Sequence, residues 1–496
     1  MLKQDIFFHF SIFFQKNCYF SSMEKIVGRI EEQKLLLSLK NSPKAEFVAL
    51  YGRRRVGKTF LINQLFGSNF AFKMTGVLDG SLKDQLAAFS DSMDDFGYDM
   101  EEKPKDWMDA FKLLKKALKP RVESGAPCFI FLDELPAMDA NKSGIAKVVG
   151  YFWNSWASLF SNVTLIVCGS ATSWMITNIV DSKGGLHDRI TQEIHVRPFC
   201  LKETEEYFNE NGFQWNRDIV LQAYMAFGGI PYYLSLLSPR ESFAQNIDRL
   251  FFGPDEKMRR EFKRLFATLY NHPEGYIEIV KKLCESKHGA TRQELAESLK
   301  VSNNAFLGKK LDDLVHCDLL RKIPVREKKI KKNDFIFQLA DFFCIFWLTF
   351  IQKAELENNY WQHHINTPEI NTWMGLSFER ICMSHIQQIK KALRIDGIST
   401  INYAWRSKSS TPGAQIDLVI ERADKIVNLC EIKYSQTPYS IDKDEYQKLL
   451  NRREAFSKET GLRHSPWITM IVSEGLSQGM YSNIAQGVVT KDELFF

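Results

Sequence analysis

The chain has 496 residues, 45% hydrophobic and 25% charged, with a formal net charge of +5. These values exclude a disordered or fibrous chain, and the mild charge permits a nucleic-acid partner without requiring one. The length exceeds what one core supports, so we expect roughly three or four domains. The nine cysteines show no CxxC pair and no zinc spacing, which excludes a metal–thiolate site and favours a reducing, cytoplasmic setting.

Residues 1–22 contain a short apolar run, Ile6 to Phe14, interrupted by His9 and Ser11. The run is far shorter than the ~20 residues of a membrane span and lacks a signal-peptide cleavage site. We therefore expect a weakly ordered extension, or an upstream start before Met23, rather than a membrane anchor. No other segment is predicted to cross a bilayer.

Residues 23–199 alternate strand-like apolar runs with amphipathic helices. The predicted strands are "EFVALYG", "NFAFKM", "PCFIFLDE", "VTLIVCGS" and "ITQEIHV". Continuous apolar runs between helices are typical of a parallel sheet covered on both faces. The sequence therefore predicts an α/β core domain.

The first of these strands leads into "YGRRRVGKTF", a G-x-x-x-x-G-K-[ST] motif that opens a helix. Such a loop wraps backbone N–H groups around phosphate oxygens, its lysine reaches the terminal phosphates, and its threonine can bind Mg²⁺. The predicted nucleotide contacts are Gly52, Arg53, Arg54, Arg55, Val56, Gly57, Lys58 and Thr59.

Polar residues follow two further strands at the edge where nucleotides bind. Asp133 is predicted to hold Mg²⁺ and Glu134 to orient the attacking water, which favours ATP hydrolysis. Ser170 is either a γ-phosphate sensor or an ordinary turn serine. Arg189 is either an arginine finger or a solvated side chain.

The order "VGR", "YGRRRVGKTF", "IFLDE", "VCGSA", "DRI", "RPF" and "GGIPYYL" resembles the archaeal-type ATPases, which belong to the wider AAA+ group near the signal-transduction ATPases. The resemblance covers about residues 23–345. It implies that Gly229 and Pro231 lie in a helical lid, with the proline near adenine. It also implies a C-terminal domain similar to restriction endonucleases.

Residues 200–265 are predicted to be all-helical, as a lid, and residues 266–345 to form a winged helix. The winged helix is indicated by a capping box from Thr291 to Glu294 and by a helix that follows Asn303 and Asn304. Residues 321–332, "RKIPVREKKIKK", hold seven basic residues in a predicted hairpin. This hairpin either contacts DNA phosphates or packs between domains.

Residues 346–370 are predicted to be a helical connector, and residues 371–496 a final α/β domain. It begins with one helix over 372–393 that carries Glu379. Asp417 and Glu431 lie on successive strands, where a hairpin brings them side by side. Two carboxylates form a site for a hard cation, and Lys433 on the same face can activate a water.

This D…E-x-K pattern resembles the PD-(D/E)XK nuclease fold, with Ile416 in place of the proline. The resemblance implies that Glu379 is an accessory ligand. The alternative is a surface ladder of salt bridges. The predicted architecture is therefore α/β: a P-loop parallel sheet with a helical lid, then a winged helix, then a smaller restriction-endonuclease-like domain.

Two functions follow. The first is an ATP- and Mg²⁺-dependent enzyme that binds or cleaves DNA, and that can form a homo-oligomer. The second is a nucleotide-operated switch whose winged helix and inactive nuclease-like domain only bind a partner.

Overall fold

The computed structural model describes residues 25–170, 172–182, 186, 188–253, 257–326, 330–352, 358–407 and 414–496. For residues 330–334 only the backbone is described. The predicted extension, residues 1–22, lies outside these ranges. Among the helices of the described residues, none combines the length and apolar content needed to span a membrane.

The strands are β1 (Glu46–Tyr51), β2 (Phe70–Thr75), β3 (Cys128–Asp133), β4 (Val163–Gly169), β5 (Gln192–His195), β6 (Ala290–Thr291), β7 (Leu320–Arg326), β8 (Ile330–Leu339), β9 (Thr400–Arg406), β10 (Gln415–Arg422), β11 (Ile426–Lys433), β12 (Ser465–Val472) and β13 (Ala485–Val489).

The α-helices are α1 (Ile30–Leu39), α2 (Lys58–Phe66), α3 (Leu82–Asp95), α4 (Trp107–Glu123), α5 (Leu135–Met138), α6 (Ile145–Ser155), α7 (Thr172–Met175), α8 (Leu201–Glu210), α9 (Arg217–Phe227), α10 (Pro231–Leu234), α11 (Phe243–Ile247), α12 (Lys257–Leu269), α13 (Glu274–Glu285), α14 (Arg292–Leu299), α15 (Ala305–His316), α16 (Phe342–Phe346), α17 (Tyr360–His364), α18 (Pro368–Ser384), α19 (Ile386–Ala392) and α20 (Lys443–Thr460). Single π-helical turns follow α7, α11 and α16, at Ile176–Val180, Asp248–Phe252 and Trp347–Ile351.

The chain divides into two compact units. The first contains residues up to 49, 57–168 and 184–194, and the second contains 50–56, 169–183 and 195–496. The second unit therefore takes in the beginning of the glycine loop as well as the whole C-terminal half.

A five-stranded sheet has the order β2-β3-β4-β1-β5, and the pairs β2–β3 and β3–β4 are parallel. Every residue of β1, β3 and β4 is buried. Complete burial explains why these strands are continuous apolar runs, since a sheet covered on both faces has no solvent side. The predicted α/β core with a parallel sheet is confirmed.

The second unit contains an eight-stranded sheet with the order β13-β12-β11-β10-β9-β7-β8-β6. Strand β7 pairs in parallel with β9, through Val325 opposite Ala404 and Arg326 opposite Trp405. This pairing joins residues 274–339, here termed the αβααββ segment, to residues 368–496, here termed the C-terminal segment. The sequence did not predict this shared sheet.

The αβααββ segment runs in the order α13, β6, α14, α15, β7 and β8. The predicted capping box is confirmed, because Thr291 and Glu294 exchange hydrogen bonds at the start of α14. Asn304 caps α15 by accepting hydrogen bonds from the N–H groups of Phe306 and Leu307.

The C-terminal segment begins with two helices rather than the single predicted one, because the chain breaks at His385 between α18 and α19. Strands β9, β10 and β11 pair antiparallel, and β11 continues in parallel into β12. Helix α20 covers one face of this sheet, where Leu449 and Phe456 pack against Trp405 and Leu429.

Candidate active sites

The glycine loop between β1 and α2 has the backbone that a phosphate cradle needs. Gly52 has φ 148°, and a Cβ there would lie 2.2 Å from the carbonyl oxygen of Val196. Gly57 has φ 91° and forms the N-cap of α2. Glycine is required at both positions, because a side chain would clash at the first and strain the backbone at the second.

Residues Lys58, Thr59, Asp133 and Glu134 all belong to the first unit. Lys58 is buried in the first turn of α2, and the Thr59 hydroxyl donates to Asp133 Oδ2 over 2.8 Å. Burial raises the pKa of Asp133, and the hydrogen bond from Thr59 opposes that rise. A hydroxyl and a carboxylate in contact at the carboxyl end of β3 fit a Mg²⁺ ion with its waters.

Glu134 stands directly after β3 in the left-handed region, with φ 50°. A non-glycine residue in this region costs about 1–3 kcal/mol, and such strain is concentrated at functional sites. Its N–H donates to Asp133 Oδ1 over 3.1 Å, which fixes the two acids relative to each other.

The side chains of Arg53 and Arg55 pair with other protein groups within the second unit. Arg53 is fully buried and forms an ion pair with Asp341, and Arg55 Nη1 lies 2.8 Å from Glu261 Oε2. Tyr233 links the pairs, because it contacts Arg53 Nη2 at 3.4 Å and donates to Glu261 over 3.0 Å. The side chains of these two predicted nucleotide contacts are therefore engaged by other protein groups, and their binding of phosphate stays a prediction.

Three other residues predicted to contact the nucleotide, Ser170, Pro231 and Arg189, lie on different elements of the fold. Ser170 is buried directly after β4. Pro231 is the first residue of α10, and the N–H of the next residue, Tyr232, contacts Arg55 O at 3.5 Å. Arg189 is exposed, and the described residues offer its side chain no ion pair. The roles assigned to these three residues stay predictions.

A family profile for an ATPase domain predominantly from Archaea matches residues 26–237. The matched range contains the glycine loop, the Thr59–Asp133 contact and Glu134. The protein is a P-loop ATPase. This confirms the enzyme class predicted from the motifs in "YGRRRVGKTF" and "FIFLDE".

Several proteins are similar to this ATPase. An uncharacterized protein of Methanocaldococcus jannaschii, MJECL04, is 23% identical over 441 residues, which cover 88% of this chain and 92% of the relative. The Walker-type ATPase PABY2304 of Pyrococcus abyssi gives a TM-score of 0.45 at 17% identity, covering 66% of this chain and 97% of that structure. The ORC2 protein of Aeropyrum pernix, solved with ADPNP and ADP, gives 0.33 at 14% identity, covering 64% and 90%.

In the C-terminal segment, β10 and β11 pair in an antiparallel register that runs from Glu421 opposite Val427 to Leu418 opposite Cys430. Asp417 and Glu431 lie just beyond the last of these pairs, and Glu431 is not among the side chains whose possible ligand atoms gather around Asp417. The pairing of β10 with β9 shifts register between Ile416 and Val419. Both of these residues are buried in the core under α20. Asp417 is thereby left half-exposed.

Three side chains converge at Asp417. The potential ligand atoms of His288, Glu379 and Asp417 all lie within 4.8 Å of one another. His288 Nδ1 is 3.3 Å from Asp417 Oδ1. Burial, followed by the negative charge of Asp417, raises the pKa of Glu379 to about 7. Within the described residues, the Glu379 carboxylate has no hydrogen bond or ion pair.

Glu431 and Lys433 contact each other on the face covered by α20. Lys433 Nζ lies 2.8 Å from Glu431 Oε1 and 3.3 Å from Glu445 Oε1, and Arg452 also forms an ion pair with Glu431. Burial alone would lower the pKa of Lys433, but the two glutamates outweigh burial and raise that pKa. The paired ammonium is therefore suited to orienting a water or a phosphate, and the predicted role of Lys433 in activating a water stays a prediction.

Some side chains of the basic hairpin, residues 321–332, contact other parts of the protein. Arg321 is half-buried, desolvation lowers the pKa of its guanidinium to about 10, and it donates to the carbonyl oxygen of Arg380. Arg326 pairs with Glu421 of the C-terminal segment. For these two of the seven basic residues the interdomain-packing alternative applies, whereas Lys322 is exposed and pairs with Asp312 of its own segment. The side chains of the other four, Lys328, Lys329, Lys331 and Lys332, lie outside the described residues.

Sequence reasoning missed His288, Glu445 and Arg452. Glu445 and Arg452 are seven residues apart on α20, which is the spacing of one helix face and could have indicated a charged contact with β11. His288 had no comparable signal, because it is a single histidine in a turn before a two-residue strand.

Proposed function

We propose that this ATPase couples its nucleotide cycle to the binding and divalent-metal-dependent cleavage of DNA by the C-terminal segment. The observation that carries the proposal is the position of Asp417, which lies with Glu379 and His288 in one cluster of possible metal ligands. The element order α18, β9, β10, β11, α20 and β12 supports a PD-(D/E)XK-like fold.

The donor set fits a divalent cation. Carboxylate oxygens are preferred by hard ions such as Mg²⁺, and Glu379 has a carboxylate without a partner in the described chain. Asp417, Glu431 and Glu379 would hold the ion. When bound, such an ion lowers the pKa of a coordinated water and stabilises negative charge on a phosphodiester.

Lys433 acts as the positioning cation in this proposal. Its ammonium is held by Glu431 and Glu445, so it can direct a water towards the phosphorus atom. The water releases a proton to solvent as its oxygen forms the new P–O bond, the bond to the leaving sugar oxygen breaks, and that oxygen takes up a proton from solvent. The chain's own contribution is to hold charge and water in place before the reaction.

In the ATPase half, Lys58 binds the terminal phosphates, Thr59 and Asp133 hold Mg²⁺, and Glu134 orients the attacking water. Ser170 senses the γ-phosphate, Arg189 stabilises its charge and Pro231 packs near adenine.

The αβααββ segment acts as a winged helix on DNA. Phosphate contact falls mainly to the four lysines between residues 328 and 332, because Arg321 and Arg326 already pair with groups of the C-terminal segment. Because the net charge of the whole protein is only +5, this local concentration of lysines contributes more to DNA binding than the electrostatic field of the whole protein.

The alternative is a nucleotide-operated switch with an inactive C-terminal segment. One observation favours it, because Glu431 is already paired with both Lys433 and Arg452, as in a ladder of salt bridges.

Cleavage of linear, circular and branched DNA by the purified protein, with and without ATP and with Mg²⁺ or Mn²⁺, tests the proposal. Asp417→Ala should abolish cleavage and leave ATPase activity intact. The matched control is Asp444→Ala, which removes an exposed carboxylate in the first turn of α20. DNA cleavage by Asp417→Ala at the wild-type rate would establish the switch instead.

A further inference from the structure

His288 belongs to the αβααββ segment, yet its side chain reaches the carboxylates of the C-terminal segment. It lies in the turn between α13 and β6, and Nδ1 is 3.3 Å from Asp417 Oδ1. A small pocket lined by His288, Arg406 and Asp417 opens at this point. A small ion therefore has access to His288 and Asp417.

The turn that carries His288 is held in place by specific contacts. Arg406 of β9 donates to the carbonyl oxygens of His288 and Gly289, over 3.2 and 3.4 Å. Gly289 has φ 74°, and a Cβ there would lie 2.5 Å from the carbonyl oxygen of Phe337. The imidazole is consequently presented to Asp417 by a rigid backbone, which is a property of built sites.

The polar atoms of this cluster are incompletely satisfied. His288 Nδ1 is shielded from solvent, and its contact with Asp417 Oδ1 at 3.3 Å lacks the alignment of a hydrogen bond. The half-buried carboxylate of Glu379 makes no hydrogen bond or ion pair with the described residues. Polar groups withdrawn from solvent are usually satisfied, so these two neighbouring side chains have capacity for a further ligand.

The geometry and the donor types suit a metal ion. Adjacent ligands of an octahedral ion lie about 3 Å apart for bonds near 2.1 Å, and the three ligand atoms here lie within 4.8 Å of one another. Small side-chain adjustments would bring the three ligand atoms to the spacing of about 3 Å that an octahedral ion requires. Imidazole suits first-row transition ions, whereas Mg²⁺ takes oxygen ligands.

We propose that His288 is the nitrogen ligand of a divalent cation held with Glu379 and Asp417, and that the site selects a first-row transition ion such as Mn²⁺ over Mg²⁺. The inference rests on the proposed cation site of the C-terminal segment and names its ion class. It requires the αβααββ segment to complete the site.

Equilibrium binding tests it, with nucleotide-free full-length protein and free Mn²⁺ measured by electron paramagnetic resonance. His288→Ala should weaken Mn²⁺ binding by about tenfold or more, a loss at least as large as that from removing a supporting residue. Displacement of Mn²⁺ by Mg²⁺ should become easier, because the remaining ligands are oxygens. His288→Asn, which offers an amide oxygen, should keep Mg²⁺ binding and still lose Mn²⁺ preference.

His272→Ala is the matched control, because His272 is exposed in the turn before α13, away from the cluster, and should leave Mn²⁺ binding unchanged. Asp417→Ala should abolish the protein-dependent decrease in the free Mn²⁺ signal and so identify the site. An unaltered Mn²⁺ affinity in folded His288→Ala, or equal losses for Mn²⁺ and Mg²⁺, would overturn the assignment. Mn²⁺ binding that depends on His288 without DNA cleavage would support the ligand and refute the nuclease.

Discussion

Replacing Asp341 with asparagine removes one charge from a buried pair. The side chains of Arg53 and Asp341 are 0% and 4% exposed, so solvent does not screen the remaining charge. Asp341 also caps α16 by accepting from the N–H of Cys344 over 2.7 Å, and asparagine keeps that bond. The substitution therefore isolates the loss of charge from the loss of the cap.

The expected loss of stability follows from the burial of the Arg53–Asp341 ion pair. Removing one partner of a buried ion pair costs about 3–5 kcal/mol, because the other charge stays in the interior unpaired. Taking the lower figure, and about 2–4 °C per kcal/mol for a unit of a few hundred residues, the melting temperature should fall by roughly 6–12 °C. Thermal unfolding followed by circular dichroism measures the shift.

Two further variants separate the charge effect from general damage. The double variant Arg53→Met with Asp341→Asn leaves no charge buried and should recover much of the lost stability. Glu31→Gln breaks the exposed pair with Lys34, whose side chains are 84% and 67% exposed, and should change stability by less than about 1 kcal/mol. An Asp341→Asn protein that melts within 2 °C of wild type, or a double variant less stable than the single one, would refute the reasoning.

Glu134→Gln should keep ATP binding, measured with a fluorescent ATP analogue, and lower turnover by about 10²–10⁴-fold, because a water-orienting or proton-accepting carboxylate contributes that much; wild-type turnover would remove Glu134 from the reaction. The buried imidazole of His385 accepts a hydrogen bond at Nε2 from the N–H of Leu201 and donates one from Nδ1 to the carbonyl oxygen of Ile381. It faces Tyr224 and Arg321, and burial lowers its pKa to about 4. The unfolded imidazole binds its proton near pH 6.5, so this group should cost up to about 3 kcal/mol of stability as the pH falls from 6.5 to 4. His385→Gln should show a smaller decrease in melting temperature over that range, and equal decreases would contradict the assignment.

Much of the ATPase core could be predicted from sequence because its signals are local. Strands β1, β3 and β4 are continuous apolar runs, and the residues that follow them directly are Gly52, Glu134 and Ser170. The antiparallel pair β10–β11, which carries Asp417 and Glu431, was also accessible, since a single hairpin forms it.

The features that were missed depend on contacts between distant parts of the chain. The shared sheet rests on two residue pairs between β7 and β9, and neither strand carries a pattern that indicates its partner. Arg321 begins a basic run for which DNA contact and packing between domains were both open, and tertiary packing directs its side chain to the end of α18. His288 became a candidate ligand only through that same packing.

The pairing of β7 with β9 also affects how the protein can be divided for experiments. A fragment that ends before α18 would leave β7 as a free edge strand, with backbone N–H and C=O groups that β9 otherwise satisfies. A fragment that begins at α18 would expose the corresponding edge of β9. Unprotected edges of this kind pair with other chains, so both fragments should aggregate where the intact chain does not. The boundary that looks natural in the sequence, near residues 346–370, is therefore a poor place to cut.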